Sequence, residues 1–151
     1  MSSMTETKKS WYKIKLNLLE IDGGGTHIAV RCIINGKKSV LLVDTGASNS
    51  VFDSESDIFD GAEMETVNDN GMGSGFNSDL PQLVRGKIDS IKWGRMEIRN
   101  MTVFFTPMNH INHLYKRLKL PRITGILGSD LLLEYNAIID FGNSIVLFEK
   151  K

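Results

Sequence analysis

The hydrophobic positions of the first half of the chain fall in short runs separated by turn residues, which predicts β-strands. One strand is expected over residues 11–21 and a second over 27–34, where β-branched residues are frequent. Asn35-Gly36 follows, and this dipeptide is preferred in two-residue hairpin turns. A return strand is therefore expected from about residue 39 to Val43.

The same alternation continues in residues 82–106, where apolar and polar positions change in short steps. This pattern predicts three or four antiparallel strands, with tight turns at Trp93-Gly94 and Arg99-Asn100. At the end of the chain, residues 137–148 predict a strand, a Gly142-Asn143 turn and a closing strand.

Two short helices interrupt the predicted strands. Apolar residues at helical spacing between about 108 and 120 predict an amphipathic helix that ends before Pro121. Ser129 is a good N-cap for a second short helix that contains three leucines, 131–133. The sequence therefore predicts a mostly β protein with one helix near 108–120 and another after Gly128.

Length and charge limit the classes of protein to consider. The 151 residues fit one domain, which we expect over 11–151 after a disordered polar tail at 1–10. With 18 basic and 18 acidic residues, neither a nucleic-acid partner nor an anionic membrane is indicated. No stretch is apolar enough for a membrane span or a secretory signal, so we expect a soluble, cytoplasmic protein, although a chain trimmed of a leader would show the same pattern.

No metal or organic cofactor is predicted. Cys32 is the only cysteine, and its strand-like surroundings suggest a small buried hydrophobic residue. The six acids between 53 and 65 lack the spacing of a calcium loop and indicate a solvated face. His110 and His113 have no evident third ligand nearby, so we interpret them as surface residues.

The strongest chemical signal is the run Leu41-Leu42-Val43-Asp44-Thr45-Gly46-Ala47-Ser48. Three aliphatic residues predict a strand buried on both faces, and such a strand has no ordinary reason to end in a carboxylate. Asp44 is therefore a candidate for catalysis. The alternative is a strand that ends in a surface turn, for which Asp-Thr-Gly is a common sequence.

The segment from Ile33 to Phe52 resembles the active-site hairpin of retropepsins, the retroviral-type aspartic proteases. These enzymes share the hairpin, the Asp-Thr-Gly-Ala sequence and an apolar pair a few residues later, here Val51-Phe52. Ile126-Leu127-Gly128 is similar to the family's element beside the active-site loop. The closing hairpin resembles that of pepsin-type lobes, and the helix near 108–120 resembles an insertion in bacterial members. The resemblance implies a single-lobe acid-protease barrel.

Residues 68–76 alternate three glycines with polar and apolar residues. They lie about where the family has its flap, the hairpin that folds over bound substrate. The resemblance implies that Met72, Gly73, Ser74 and Gly75 contact substrate, with glycine allowing motion and close approach. An ordinary surface loop is the alternative.

Peptide hydrolysis by aspartic proteases needs two carboxylates around one water. The chain has one Asp-Thr-Gly, and neither Asp130 nor Asp140 is followed by Thr/Ser-Gly. The resemblance therefore implies a homodimer in which two Asp44 carboxylates meet on the symmetry axis, acting on a polypeptide substrate. It also implies that Thr45 hydrogen-bonds across that axis and that Gly46 permits close packing.

Other roles also follow from the resemblance. Ala47, Ser48 and Asn49 are expected to border the cleft, and Ile126 and Leu127 to form pocket walls. Ser48 departs from the retroviral pattern, which usually has an acid there, so subsite preference cannot be transferred. Either residues 11–21 or residues 145–148 could join the dimer sheet. The alternative to an endopeptidase is a non-catalytic retropepsin-like module that binds peptides or mediates dimerisation.

Overall fold

Eleven strands make up most of the computed structural model, which describes residues 8–21, 23–67 and 83–151. The strands are β1 (Trp11–Lys15), β2 (Asn17–Ile21), β3 (Gly25–Ile34), β4 (Lys37–Val43), β5 (Val51–Asp53), β6 (Met64–Thr66), β7 (Val84–Trp93), β8 (Met96–Thr106), β9 (Gly125–Leu127), β10 (Ile138–Asp140) and β11 (Ile145–Glu149). Helix α1 spans Asn109–Arg117 and α2 spans Ser129–Glu134, and a short 3-10 helix spans Asp57–Phe59.

The strands form two sheets. The larger has the order β2-β3-β4-β9-β5-β8-β7-β6, and an additional β3–β7 pairing closes six of its strands into a barrel. The smaller sheet has the order β1-β11-β10, with antiparallel pairing throughout. The prediction of a mostly β protein built around a barrel is therefore confirmed.

Alternating strand positions fill the barrel with large side chains. Leu41, Phe52, Ile91 and Phe105 are fully buried there. Trp93 stacks on Phe148 of β11, with ring centroids 5.9 Å apart, which joins the small sheet to the barrel core. Burial of such residues supplies most of the stabilising free energy of a domain of this size.

Helix α1 covers a second apolar cluster on the outside of the barrel. Its Tyr115 is buried against Leu19 of β2 and Ala29 of β3, together with Ile123. The helix was predicted from about 108 to 120 and lies within that range. Among the residues that the structure describes, neither α1 nor α2 is long and apolar enough to span a lipid bilayer.

The single strand predicted for residues 11–21 is wrong. The chain forms two strands that belong to different sheets, β1 pairing with β11 and β2 with β3. Leu16 lies between them, is buried, and donates its backbone N–H to the carbonyl of Ser144 at 2.8 Å. Local alternation cannot reveal this change of sheet, because the partners are distant in sequence.

The prediction for residues 82–106 is partly wrong. The structure has two long strands, β7 and β8, that turn at Gly94-Arg95, so the predicted turn near Trp93-Gly94 is confirmed within one residue. The predicted turn at Arg99-Asn100 lies inside β8. Although Asn100 has a φ of 55°, the pairing register continues on both sides of it. Cross-strand pairing overrides the local turn preference here.

Other local predictions agree closely with the structure. Asn35 and Gly36 form the β3–β4 turn with φ values of 50° and 81°, as a two-residue hairpin requires. The closing hairpin is β10 and β11. The N-cap of α2 is Gly128 rather than Ser129, which is the first helical residue. Of the predicted tail, residues 1–7 lie outside the described residues, as do 68–82, which include the predicted flap.

Candidate active site

Asp44 directly follows β4, between the neighbouring strands β3 and β9 of the barrel. It is exposed, and its Oδ1 accepts the backbone N–H of Gly46 at 2.9 Å. Its carbonyl accepts the N–H of Ala47 at 3.1 Å. A Cβ on Gly46 would lie only 3.2 Å from Oδ1, so glycine leaves room for this tight turn. The buried strand therefore presents a carboxylate at the surface on a hydrogen-bonded loop.

The end of β9 and the start of α2 hold this loop. The N–H of Asp44 donates to the carbonyl of Leu127 at 3.0 Å, and the N–H of Ser129 donates to the carbonyl of Ala47 at 2.7 Å. A Cβ on Gly128 would lie 2.7 Å from the Ala47 carbonyl oxygen, which is closer than real side chains pack. Glycine at 128 is thus required for β9 to lie this close to the loop.

Sequence reasoning missed the contact between Ser50 and Asp130. The Ser50 N–H lies 3.0 Å from both carboxylate oxygens of Asp130, and the Ser50 hydroxyl donates to Oδ1 at 2.7 Å. The same hydroxyl oxygen accepts the N–H of Gly128 at 2.8 Å. Eighty residues separate Ser50 from Asp130, so no local pattern indicated the pairing.

The remaining predicted site residues differ in their exposure to solvent. Thr45, Gly46 and Ser48 are exposed, whereas Ala47 and Asn49 are half-buried in the loop. In β9, Ile126 is half-buried. Leu127 is fully buried in the barrel core, so this chain alone presents no Leu127 surface to a cleft. Met72, Gly73, Ser74 and Gly75 lie outside the described residues.

The prediction that all six acids between 53 and 65 form a solvated face is wrong for Asp53. It is fully buried at the end of β5, where its Oδ1 accepts the N–H groups of Glu55 at 3.1 Å and Met108 at 3.3 Å. Arg122 donates to its Oδ2 at 3.3 Å. Buried carboxylates need such partners, and here they connect β5 to the segments on both sides of α1. The other five acids, Glu55, Asp57, Asp60, Glu63 and Glu65, are exposed as predicted.

The cysteine and two histidines that were considered as candidate nucleophile or metal ligands lie where the sequence analysis placed them. Burial raises the pKa of Cys32 to about 12, so its thiol stays protonated, which agrees with the predicted buried hydrophobic role. His110 and His113 are exposed. Within the described ranges, no group of three or more His, Cys, Asp or Glu side chains is placed to hold a metal ion.

Comparison with known proteins shows what the chain resembles. The model of the aspartyl protease family matches residues 30–131, which is more than half of the chain. A retropepsin-like aspartic protease from Rickettsia conorii has a similar structure, with a TM-score of 0.53, 18% identity and 97% of each chain covered. The retroviral protease-like domain of Ddi1 from Leishmania major gives a TM-score of 0.48 at 17% identity, covering 82% of this chain and 93% of that one. No curated protein matches significantly. The family match includes the Asp44 loop and the Ile126-Leu127-Gly128 element, and the chain belongs to the aspartyl protease family.

Proposed function

We propose that the protein is a homodimeric aspartic endopeptidase, in which Asp44 of each subunit supplies one of the two catalytic carboxylates. Membership of the aspartyl protease family supports proteolysis in general. The observation that carries the finer proposal is the exposed Asp44 carboxylate on a loop that residues 127–130 hold by hydrogen bonds. A rigid loop is what catalysis needs, because small displacements of a reacting group are costly.

Two copies are needed in this proposal because Asp130 and Asp140, the other acids considered as partners for Asp44, each have hydrogen-bond partners of their own. Asp130 binds Ser50, as described above. Asp140 accepts the N–H of Asn143 at 3.0 Å and its side-chain amide at 2.8 Å, and these hydrogen bonds lower the pKa of Asp140. Neither is an internal partner for Asp44 in this proposal. The second carboxylate then comes from a second Asp44.

The reaction follows from the chemistry of a carboxylate pair. Two acids held close together cannot both ionise cheaply, so the pair keeps one proton over a wide pH range. The ionised acid takes a proton from the attacking water, and the protonated acid donates a hydrogen bond to the substrate carbonyl oxygen. The exposed Thr45 hydroxyl has no hydrogen-bond partner among the described residues, so it is available to the second subunit.

The small sheet limits where a second copy can add a strand. β11 has neighbours on both sides, so residues 145–148 have no free edge for the role considered from sequence. Among the strands of the described residues, β1 and β10 each have one neighbour. β1 carries exposed Lys13 and Lys15, which discourage strand addition. At β10, Ile138 is 47% exposed and the adjacent Phe141 is 64% exposed. The proposed dimer therefore uses the β10 edge.

The proposed substrate is an extended polypeptide bound beside the Asp44 loop. Ala47, Ser48 and Asn49 follow Asp44 and contribute the floor of the cleft, together with Ile126 in β9. Main-chain hydrogen bonds to an extended strand give affinity, and pockets for alternate side chains give preference. The predicted flap residues would cover this strand.

A peptide-library digest tests the proposal. We expect wild-type protein to cleave peptides and Asp44→Asn to lose at least about 1,000-fold of that activity, since the pair loses its ionisable acid. Asp57→Asn is the matched control, because Asp57 is an exposed acid that belongs to the 3-10 helix and not to the Asp44 loop. Its activity should equal that of wild type.

Two results would overturn the proposal. Cleavage that persists in Asp44→Asn would exclude Asp44 as the catalytic acid. Absence of cleavage, together with a monomeric mass at micromolar concentration in sedimentation equilibrium, would favour a non-catalytic module.

A further inference from the structure

Four consecutive residues, 127–130, each hold one point of the Asp44 loop. Leu127 accepts the N–H of Asp44, Gly128 donates to the Ser50 hydroxyl, and Ser129 donates to the carbonyl of Ala47. The fourth, Asp130, contributes its side chain and not its backbone, since its carboxylate accepts both the N–H and the O–H of Ser50.

We infer that Asp130 is a positioning residue for Asp44, acting through Ser50, and this inference rests on the proposed function. Ser50 is 3% exposed, so its N–H has no ready access to water as a substitute acceptor. Asp130 itself lies on the exposed side of α2. Residues 127–129 hold the loop through their backbone atoms, whereas the contact at position 130 depends on the identity of the side chain there.

The geometry suits a carboxylate better than other groups. Both oxygens of Asp130 lie 3.0 Å from the Ser50 N–H, and Oδ1 also receives the hydroxyl proton at 2.7 Å. The hydroxyl proton is thereby directed away from Gly128, which leaves a lone pair of the Ser50 oxygen for the Gly128 N–H. An asparagine at 130 has one accepting oxygen and would keep part of this arrangement. An alanine at 130 would offer no acceptor to the N–H or the hydroxyl of Ser50.

Loss of Asp130 should therefore release one end of the loop. Without the carboxylate, the Ser50 N–H is a buried unsatisfied donor, and the segment must shift to reach water. Asp44 lies six residues away at the other end of the same loop, still attached to Leu127. The catalytic carboxylate would then sample orientations that do not match its partner across the dimer axis.

Steady-state kinetics on peptide substrate test this inference. For Asp130→Ala we expect kcat to fall about 10–100-fold, with KM changed by less than about threefold, because positioning acts on the reacting atoms. Asp130→Asn should be intermediate. The matched control is Glu134→Ala, another exposed acid on α2, which forms an exposed ion pair with Lys151 at 3.8 Å and should leave both constants unchanged.

A double-mutant cycle separates positioning through Ser50 from a general weakening of α2. If Asp130 acts through Ser50, the Asp130→Ala/Ser50→Ala protein should be no worse in kcat than the poorer single variant. Ser50→Thr, which keeps the hydroxyl, should restore most of the kcat lost in Ser50→Ala. Multiplied losses in the double variant would overturn the inference, as would a wild-type kcat in folded Asp130→Ala protein.

Amide hydrogen exchange gives a readout that does not need activity. In Asp130→Ala the amides of Ser50 and Gly128 should exchange at least about tenfold faster, whereas Val146 in the centre of the small sheet should not change. Suppose that these amides exchange faster in Asp130→Ala but wild-type protein shows no Asp44-dependent cleavage. This result would contradict the proposed function and would still support the role of Asp130 in holding the loop. Unchanged exchange would overturn the role of Asp130 whatever the activity. If Asp130→Ala does not fold, the kinetics and the amide exchange are measured on Asp130→Asn instead.

Discussion

Gly128→Ala tests how closely the active-site loop packs against the end of β9. Gly128 has φ −95° and ψ −176°, which alanine adopts without strain, so any effect must come from the added methyl group. The new Cβ would lie 2.7 Å from the Ala47 carbonyl oxygen and 2.9 Å and 3.0 Å from the carbonyl carbon and oxygen of Asn49. All three are backbone atoms of the loop that carries Asp44, so no side-chain rotation can relieve the contact.

The magnitude follows from the size of this overlap. The nearest contact is about 0.7 Å shorter than ordinary van der Waals contact at 3.4 Å. Overpacking of this kind costs about 1–3 kcal/mol, and the smaller entropy of the unfolded alanine variant offsets about 0.4–1 kcal/mol of it. We expect a net loss of about 1–2 kcal/mol in the free energy of unfolding, equivalent to a Tm decrease of roughly 2–8 °C. Displacement of the loop should also lower kcat by about 10–100-fold.

Urea unfolding and peptide cleavage measure the two effects. Gly125→Ala is the first control, because the three atoms nearest to its Cβ would belong to Phe52, Val51 and Leu41 in the barrel, at 2.8–3.0 Å, and not to the Asp44 loop. It should lose stability without the same loss of kcat per folded molecule. Gly142→Ala is the second control, with its nearest neighbour at 3.4 Å, and should stay within about 0.5 kcal/mol of wild type.

Two outcomes would refute the reasoning. A Gly128→Ala protein as stable and as active as wild type would mean that the loop does not pack against this glycine. Equal loss of kcat in Gly125→Ala and Gly128→Ala would mean that activity follows global stability, and not the position of the loop.

Four further predictions address the dimer, the acid pair, the core and the buried acid. Mixing wild type with an equal amount of Asp44→Asn, at constant total protein and after subunit exchange, should leave about one quarter of the activity, since only dimers with two intact acids react; one half would contradict a shared site. Cleavage should fall as pH rises and the shared proton is lost, so a rate that climbs steadily to about pH 9 would contradict a carboxylate pair. Because burial raises the pKa of Cys32 to about 12, its alkylation by iodoacetamide at about pH 9 should be more than about tenfold slower in folded than in urea-unfolded protein; equal rates would contradict its burial. Asp53→Ala should cost about 1–3 kcal/mol in urea unfolding, because two backbone N–H groups and Arg122 lose their acceptor, and an effect no larger than that of the exposed control Asp57→Ala would contradict its buried role.

Predictions from sequence succeeded where a few adjacent residues decide the conformation. The Asn35-Gly36 turn and helix α1 are of this kind, since a hairpin turn or an apolar helix face is encoded within one or two turns of chain. The position of Asp44 directly after the return strand of the Asn35-Gly36 hairpin was also predicted correctly. In each case the local preference and the tertiary contacts agree.

Predictions failed where distant partners compete with local preference. The break at Leu16 exists because β1 pairs with β11 at the other end of the chain, while β2 pairs with β3. Asn100 has the backbone φ of a turn residue, yet it lies in a strand that β7 holds on both sides of it. Asp53 looked like its exposed neighbours in an acidic stretch, but Arg122 and the backbone beside α1 make it a buried acid.

By itself, the sequence determined the Asn35-Gly36 hairpin, the closing hairpin, the two helices and the Asp44 segment with its family resemblance, because hydrophobic periodicity and turn preferences act over a few residues. The tertiary structure alone decided which strands share a sheet, which acids are buried, and that Asp130 reaches Ser50 eighty residues away. The physical reason is that a strand edge or a carboxylate is satisfied by whichever partner the closed barrel brings within hydrogen-bond distance, and that partner leaves no mark in the neighbouring sequence.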